Sequence, residues 1–365
     1  MPPSSRKSSP AARPPGIKQV AAALGVSVGT VSRALNNRYG VDPATRERVL
    51  EEARRLGYVP DSAARRLKSH PLLRVMLVFA PFLGPRGEIN PAAIATVESL
   101  KLSAGRRGFA FAQRNFAGDD DLDQAVRDAD FDVVVTYGHF EPASLALLEA
   151  SGVPWVMLQG TSDAPRHISV RVDTRIAAYQ AVLYLAALGH ERVALVAGPQ
   201  TELHHRSYRE GFNDAVQEFG LHSPPRWQLH LPPDQVNEDG GAAILAPVLA
   251  SPDRPTGIVF ASDWLAMGGL RAARTAELVV PDQLSLIGYD NLAISQTANP
   301  PLTTFDVHLE LFSDTVMQAV SELMENPLAP MTDADRNRTI CADLVKRVSC
   351  TKLRGQSAVR DSGGG

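Results

Sequence analysis

From residue 72 onward, short apolar runs alternate with helical segments, and this alternation constrains the fold more than any other feature. The first run, LLRVMLVFA, is continuously apolar, as in a strand of a parallel sheet that is buried on both faces. Similar runs are FAFAQ, FDVVVTYG, VPWVMLQG, RVALVAG, TGIVFAS and LSLIGYD. The pattern predicts a doubly wound α/β architecture with right-handed crossovers. Because the elements are about twice as many as one lobe needs, we expect two lobes.

The first 70 residues differ from the remainder in charge. They contain 13 Lys and Arg against 5 Asp and Glu, whereas the rest of the chain contains 24 and 35, and the whole chain carries a net charge of −3. A basic segment attached to an acidic body indicates a module that binds a polyanion. A surface with evenly mixed charges is the alternative, but it does not explain this segregation.

Three short helices are predicted within the basic segment. Apolar side chains recur with helical spacing over residues 17–24, and Gly25 ends that helix. Ser27 caps a second helix that continues to about Leu35, and Asp42, followed by proline, starts a third. Three short helices with a glycine between the first two are typical of a helix-turn-helix unit. The expected core residues are Val20, Ala21, Leu24, Val31, Leu35, Val49 and Leu56.

The second helix, within VSVGTVSRALN, carries small polar side chains where a solvated helix normally carries Lys and Glu. Small residues allow a helix to lie deep in the major groove of DNA. We expect Val28, Gly29 and Arg33 to contact bases, since Arg can bond guanine at two positions and the Val methyls can touch a thymine methyl. A small surface helix without function is the alternative. Phosphate contacts are expected from Ser27, Thr30, Ser32 and Asn36.

Residues 17–67 resemble the headpiece of the LacI/GalR family of bacterial transcriptional regulators, over IKQVAAALGVSVGTVSRALNNRYGVDPATRERVLEEARRLGYVPDSAARRL. The resemblance implies a hinge helix at residues 60–68 that folds on operator DNA, with Leu67 as a wedge in the minor groove. A segment this short is unstable as an isolated helix, and apolar wedges are an established means of bending DNA. Packing of Leu67 against the body of the protein is the alternative.

The body also resembles that family, in its regulatory domain, which is similar to periplasmic binding proteins. The matching segments are LGHERVALVAG, RSYREGF, PTGIVFASDWLAMGGLRAAR, VPDQLSLIGYDN and PPLTT. The resemblance implies two lobes with a small-molecule effector in the cleft between them. Ser262 stands where many relatives have Asn, which leaves the effector's identity open.

Polar residues that follow the strands are the candidates for effector binding, because ligands lie beyond the carboxyl ends of parallel strands. The resemblance places the matching positions at or beside the effector pocket. Structural roles are the alternatives: a helix cap for Asp263, turn chemistry for Asp290, an ion pair for Arg206 and simple packing for the aromatic residues. The candidates are Asp173, Arg206, Asp263 and Asp290, with Phe82 and Trp227 as stacking partners.

The expected domain order follows from these segments. It comprises a disordered tail (1–16), a helix-turn-helix headpiece (17–59), a hinge helix or linker (60–70), a two-lobed effector-binding and dimerisation domain (71–350) and a flexible tail (351–365). Because residues 354–365 show no apolar heptad, we expect a homodimer rather than a tetramer.

The resemblance implies a repressor of carbohydrate uptake or catabolism genes that binds a pseudo-palindromic operator and is released by a sugar. Three alternatives remain: a sugar-binding or sugar-processing protein without specific DNA binding, a regulator with a non-sugar effector or corepressor, and a non-specific nucleoid protein. The sequence contains no Walker A, GxSxG or HExxH motif. We therefore expect no enzymatic activity, no cofactor and no metal.

The expected location is the bacterial cytoplasm, at the nucleoid. No apolar run approaches the ~18–20 residues of a membrane span, and the N-terminus lacks the apolar core of a signal peptide. Cys341 and Cys350 lack metal-ligand spacing and are predicted to be free thiols.

Overall fold

The computed structural model describes residues 16–35, 40–56, 72–80, 89–115, 131–138, 140, 142–151, 153–161, 167–325 and 331–353. The predicted hinge helix with Leu67, and the side chains of Asn36 and Phe82, lie outside these ranges. Among the described residues, no helix combines the length and the apolar character needed to span a membrane. Cys341 and Cys350 are free thiols, as predicted.

The headpiece consists of the three predicted helices, α1 (Ile17–Leu24), α2 (Val28–Leu35) and α3 (Pro43–Arg55). Gly25 ends α1 in the left-handed conformation, with φ of 66°, which glycine adopts without steric cost. The Ser27 hydroxyl accepts a hydrogen bond from the backbone N–H of Thr30 at 2.9 Å, which caps α2.

Small apolar side chains fill the space between these helices. The predicted core is confirmed in large part, but Leu24 and Leu56 at its edge are only partly buried. The first turn of α3 is fixed by Asp42, whose carboxylate accepts a hydrogen bond from the N–H of Thr45 at 2.9 Å. The buried core residues are Val20, Ala21, Val31, Ala34, Leu35, Val49, Leu50 and Ala53.

The described strands of the body lie in two parallel sheets and one antiparallel ribbon. The larger sheet has the order β2-β1-β3-β4-β5-β11, and the smaller has the order β7-β6-β8-β9. The strands are β1 (Arg74–Ala80), β2 (Ala110–Asn115), β3 (Val133–Gly138), β4 (Trp155–Leu158), β5 (His167–Val172), β6 (Val193–Ala197), β7 (Gln228–His230), β8 (Gly257–Phe260), β9 (Ser285–Ile287), β10 (Thr304–Asp306), β11 (Asn337–Ile340) and β12 (Asp343–Val345).

Helices cover both sheets, as the alternating pattern predicts, so that the central strands are buried on both faces. They are α4 (Pro91–Arg106), α5 (Pro142–Ser151), α6 (Thr174–Ala187), α7 (Leu203–Glu218), α8 (Glu238–Leu249), α9 (Asp263–Thr275), α10 (Ala293–Thr297), α11 (Leu309–Glu325) and α12 (Asp333–Arg336).

The chain passes between the lobes three times. It enters the C-lobe, which is built on the smaller sheet, after β5, and returns to the N-lobe, which is built on the larger sheet, between β10 and α11. After β11 it passes to β12, which pairs antiparallel with β10. The last described residues pack on the C-lobe, where the N–H of Leu286 donates to the carbonyl of Ser349 at 3.0 Å. These crossings place the carboxyl ends of both sheets on either side of one cleft.

Helices α6 and α7 approach too closely for a side chain at Gly211. A Cβ built there would lie 1.9 Å from the carbonyl oxygen of Arg175. We therefore expect Gly211→Ala to lower the free energy of unfolding by about 1–3 kcal/mol, because the helices must separate to admit the methyl group. Urea unfolding measures the change.

Gly105→Ala is the matched control. Gly105 lies in α4, and a Cβ there would meet nothing within 4 Å, so alanine should stabilise the helix by about 0.5–1 kcal/mol. Equal urea-unfolding midpoints for Gly211→Ala and Gly105→Ala would contradict the close approach of α6 and α7.

Candidate functional site

The outer face of α2 is small and exposed. Val28, with 42% of its surface exposed, Gly29 and Arg33 face solvent, whereas Val31 and Leu35 face the core of the headpiece. Arg33 is the one charged residue of α2. The face therefore has the shape and charge expected of a helix that enters a DNA groove, and base contacts by these residues remain a prediction.

The residues predicted to contact phosphate lie beside this face. Ser27 is exposed, and its hydroxyl is within 2.8 Å of the Thr30 hydroxyl in addition to capping the helix. Thr30 and Ser32 are half-buried. Phosphate contacts by these side chains also remain a prediction.

A cavity of about 370 Å³ lies between the two lobes. Residues at the carboxyl ends of strands from both sheets line it, as the strand-end argument predicts. The N-lobe contributes Asn90, Thr136, Tyr137, Phe140, Gln159 and Thr161, and the C-lobe contributes Glu202, His204, His205, Arg206, Ser262, Tyr289 and Asp290.

Several side chains of this lining carry buried polar atoms that have no hydrogen-bond partner among the described residues. Leaving such groups unpaired costs about 1–3 kcal/mol each, so the cavity is suited to a ligand with many hydrogen-bonding groups. The atoms are Thr136 Oγ1, Glu202 Oε1, His205 Nδ1, the Tyr289 hydroxyl and Asp290 Oδ2.

Burial dominates the electrostatics of the cavity. It raises the pKa of Glu202 to about 8 and the pKa of Asp290 well above its ordinary range. It lowers the pKa of His204, and it lowers the pKa of His205 well below its ordinary value. Burial also raises the pKa of Tyr137 to about 12, with smaller contributions from the charges of Asp290 and Glu202. Both histidines are therefore neutral at pH 7, and the carboxyl groups lie in a poorly solvated environment.

An aromatic cluster supports the C-lobe side of the cavity. The rings of Tyr208 and Tyr289 meet edge to face at 5.5 Å, and the His204 ring lies 5.4 Å from Tyr289. The Tyr208 hydroxyl donates a hydrogen bond to the carbonyl of Phe260 at 3.0 Å, which fixes the cluster on β8. Tyr289 is thereby held rigidly, while its own hydroxyl has no hydrogen-bond partner in the part of the chain that the structure describes.

Asp290 reaches the cavity from a left-handed backbone conformation. Its φ is 109°, that of Asn291 is 55°, and the N–H of Asp290 donates to the carbonyl of Phe305 at 3.0 Å. Such values are uncommon for residues other than glycine, although Asp and Asn tolerate them best. Asp290 therefore lies in a turn and also lines the cavity, so the two roles proposed for it are compatible. Arg206 is exposed at the mouth and also lines the cavity.

The prediction that Asp263 belongs to the effector pocket is corrected by its burial. The residue is fully buried and does not line the cavity. Its Oδ2 accepts a hydrogen bond from the N–H of Leu292 at 2.8 Å, and its Oδ1 accepts one from the Thr304 hydroxyl at 2.6 Å. It is also not the helix cap, a role that Ser262 takes. Asp263 holds the segment that carries Tyr289 and Asp290.

Asp173 and Trp227 also lie outside the lining. The Asp173 carboxylate caps α6, where it accepts a hydrogen bond from the N–H of Ile176 at 3.1 Å. Trp227 is 1% exposed and packs in the C-lobe core, edge to face with His222 at 5.1 Å. A ring this buried cannot stack on an effector, so the prediction for Trp227 is wrong.

Several lining residues were not predicted from the sequence although they stand at strand ends. Tyr137, Gln159 and Tyr289 follow the runs VVVT, WVML and SLIG, at the ends of three strands. Tyr and Gln at strand ends are therefore as informative for this cavity as the charged residues Asp and Arg. Glu202 and His205 follow β6 only after a longer turn, so their position in the sequence does not mark them as strand-end residues. Among the described residues, no group of three or more His, Cys, Asp or Glu could hold a metal ion.

Comparison with protein-family models gives two matches. Residues 16–61 match the model for bacterial regulatory proteins, lacI family, and residues 182–350 match the periplasmic binding protein-like domain.

Curated proteins match along most of the chain. The HTH-type transcriptional repressor CytR of Escherichia coli (strain K12) is 30% identical over 295 residues, which cover 79% of this chain and 83% of CytR. An uncharacterized HTH-type transcriptional regulator in the aml 5′ region of Streptomyces limosus is 32% identical over 338 residues, which cover 91% of this chain and 93% of that protein.

Solved structures share the fold. A complex of the transcriptional regulator CelR with cellobiose matches with a TM-score of 0.65 and 25% identity, covering 92% of this chain and 99% of CelR. The Lac repressor dimer bound to operator and the anti-inducer ONPF matches with a TM-score of 0.65 and 24% identity, covering 93% and 100% of the two chains.

The role of Asp263 predicts a large effect on stability. Asp263→Ala should lower the free energy of unfolding by about 2–5 kcal/mol, because it leaves the N–H of Leu292 and the hydroxyl of Thr304 buried without acceptors. Chemical denaturation followed by circular dichroism measures the loss.

Asp173→Ala removes a carboxylate that only caps a helix, so it should cost about 0.5–2 kcal/mol. A loss for Asp263→Ala no greater than that for Asp173→Ala would refute the special role of the buried carboxylate.

Proposed function

Because the chain belongs to the lacI family of bacterial regulatory proteins, we propose that it is a transcriptional repressor that leaves its operator when a sugar binds between the lobes. The observation that carries this proposal is the cavity, which is lined by aromatic rings and by polar atoms that have no partner among the described residues, from both lobes. Sugars present hydroxyl groups to such atoms and C–H faces to such rings.

The headpiece supports the DNA-binding part of the proposal. The exposed face of α2 combines Val28 and Gly29, which allow close approach to base pairs, with Arg33, which can bond guanine. We propose that a homodimer reads the two halves of a pseudo-palindrome, with one headpiece on each half. The domain boundaries, the hinge and the wedge role of Leu67 belong to the same proposal, as do phosphate contacts from Ser27, Thr30, Ser32 and Asn36.

The cavity supports the effector part. Arg206 and Asp290 line it, together with the lining residues that the sequence analysis missed. The CelR relative was solved with cellobiose, which favours a sugar over other small metabolites for this chain. A non-sugar effector or a corepressor is the alternative within the same family.

We propose that the effector acts through the crossing segments. The cavity is lined by both lobes, and the ribbon of β10 and β12 joins them, so a ligand that contacts both lobes favours one arrangement of the lobes over another. An effector that weakens operator binding tenfold must itself bind about tenfold more weakly to the operator complex.

Fluorescence anisotropy with labelled DNA flanking the gene tests the proposal. Binding that resists competitor DNA and is relieved by one sugar of a panel supports it. If binding is sequence-specific but no sugar relieves it, the DNA-binding part of the proposal stands and the sugar effector is rejected. If the protein binds all sequences equally, with the same salt dependence, its contacts are to phosphate alone, and operator recognition is rejected.

Arg33→Ala should weaken operator binding by about 1–3 kcal/mol, which is about 5–150-fold, and relax specificity at one base pair. Anisotropy against operator and random DNA measures both effects.

Arg48→Ala is the matched control, because Arg48 is exposed on α3 and its loss removes the same charge from the headpiece. An unchanged ratio of operator to random affinity for Arg33→Ala would exclude base reading by Arg33.

Tyr289→Phe should weaken sugar binding by about 0.5–1.5 kcal/mol without lowering the free energy of unfolding, since the lost hydroxyl has no partner among the described residues. Calorimetry and urea unfolding measure the two quantities.

Tyr208→Phe should behave in the opposite way. It removes the hydrogen bond to the Phe260 carbonyl, so it should cost about 1 kcal/mol of stability and leave sugar affinity nearly unchanged. If Tyr289→Phe binds the sugar with full affinity, the Tyr289 hydroxyl does not contact the sugar.

A further inference from the structure

The cavity contains two carboxyl groups that the described residues do not fully satisfy with hydrogen bonds. Oε1 of Glu202 and Oδ2 of Asp290 are buried and lack partners among the described residues, and both residues line the cavity. Both carboxylates also act electrostatically on the hydroxyl of Tyr137 across the cleft. The two groups therefore lie in one region of the cavity.

The described lining brings little positive charge to this region. His204 and His205 are neutral because burial lowers the pKa of both rings. Arg206 is the one arginine or lysine among the described lining residues, and its side chain is exposed. Burial raises the pKa of Asp290, and the negative charge of Asp263 raises it further. Burial therefore favours the protonated form of both carboxyl groups, and a ligand that brings a cation would stabilise their charged form.

We propose that the effector is an amino sugar whose protonated amine is held by the carboxyl groups of Glu202 and Asp290. The inference rests on the proposed function, which makes the cavity the effector site. Hydroxyl groups of the sugar are then bound by neutral side chains such as Thr136 and Gln159, and the rings of Tyr289 and Phe312 face the remainder of the ligand. Aromatic rings beside a cation add a favourable contact.

Proton balance distinguishes an amine from a neutral sugar. Before binding, Glu202 holds a proton at pH 7, because burial raises its pKa to about 8. An ammonium group favours the charged carboxylate, so the proton leaves for solvent as the amine binds. Amine affinity should therefore rise from about pH 5.5 to about pH 7, whereas a neutral sugar leaves the carboxyl group protonated and shows no such rise.

Other titratable groups face the same region and are part of this balance. The tyrosines are neutral between about pH 6 and 7 and burial favours the neutral form of both histidines, whereas Asp263, whose pKa burial raises to about 6, loses its proton in this range. The parent hexose measured beside each amine is therefore the control for the proton of Asp263. The groups that face the two carboxyl groups are Tyr137, His204, His205, Arg206, Tyr208, Asp263 and Tyr289.

Isothermal titration calorimetry on the full-length protein tests the proposal. The probes are D-glucosamine, D-galactosamine and D-mannosamine, each beside its parent hexose and its N-acetyl derivative. One amine should bind at least about tenfold more tightly than both neutral counterparts at pH 7. Titration in buffers of different ionisation enthalpy should show that protons are released as the amine binds, because the pKa values of both Glu202 and Asp290 are raised, and that none are released as the parent hexose binds.

The variants Glu202→Gln and Asp290→Asn keep the shape of the side chains and remove the charge. Each should reduce the preference for the amine to about twofold or less, while thermal unfolding shows that the protein remains folded. Glu210→Gln is the matched control: Glu210 is exposed on the same helix as His204, outside the cavity, so the preference should remain.

A parent hexose or an N-acetyl derivative that binds as tightly as the amine would overturn the proposal and leave the sugar-responsive repressor intact. Retention of the amine preference in Glu202→Gln and Asp290→Asn would also overturn it. If none of the nine compounds binds while operator DNA is still bound specifically, the amine and the simple sugar are both rejected and only the DNA-binding function stands.

Discussion

The buried carboxylate of Asp263 is the interaction on which the cavity depends. It begins α9, yet its hydrogen bonds go to the segment after β9 and to β10. One side chain thus ties a helix, the strand-end loop that carries Tyr289 and Asp290, and the first strand of the ribbon between the lobes. Two buried donors would be left unpaired without it, and the left-handed backbone at Asp290 would lose its support.

That constraint separates the C-lobe residues that support the cavity from those that line it. Asp263 and Tyr208, whose polar atoms are paired, lie behind the cavity. Tyr289 and Asp290, which each have a polar atom without a partner among the described residues, lie at its surface. The rear layer is fixed by the fold, and it holds the front layer in place before any ligand arrives. A site held in this way loses little conformational freedom on binding.

Most of the fold is predictable from the sequence, because the hydrophobic pattern and the helix-end residues of the longer elements agree with the structure. Gly25, Ser27 and Asp42 mark helix ends in the sequence and serve as caps in the structure. The short strands β7, β10, β11 and β12 could not be predicted, since three or four residues give no reliable periodicity. Helices α10, α11 and α12 are likewise absent from the predicted elements.

The site was predictable only in part. Strand ends locate Asp290, and they would also locate Tyr137 and Gln159. Asp263 follows a strand by the same rule, but its direction into the interior depends on contacts with Leu292 and Thr304, which are distant in sequence. Burial of Trp227 is likewise a tertiary property, which its position in the sequence does not reveal.

The three crossings between the lobes have a consequence for how the chain is made. The N-lobe needs α11 and β11 from the last part of the sequence, and the C-lobe needs the segment through residue 353. Neither lobe is a contiguous stretch of chain, so a truncation cannot isolate either one. During synthesis the headpiece, whose core is local, can fold as soon as it emerges, while both lobes must wait until the segments around residues 337–353 have left the ribosome.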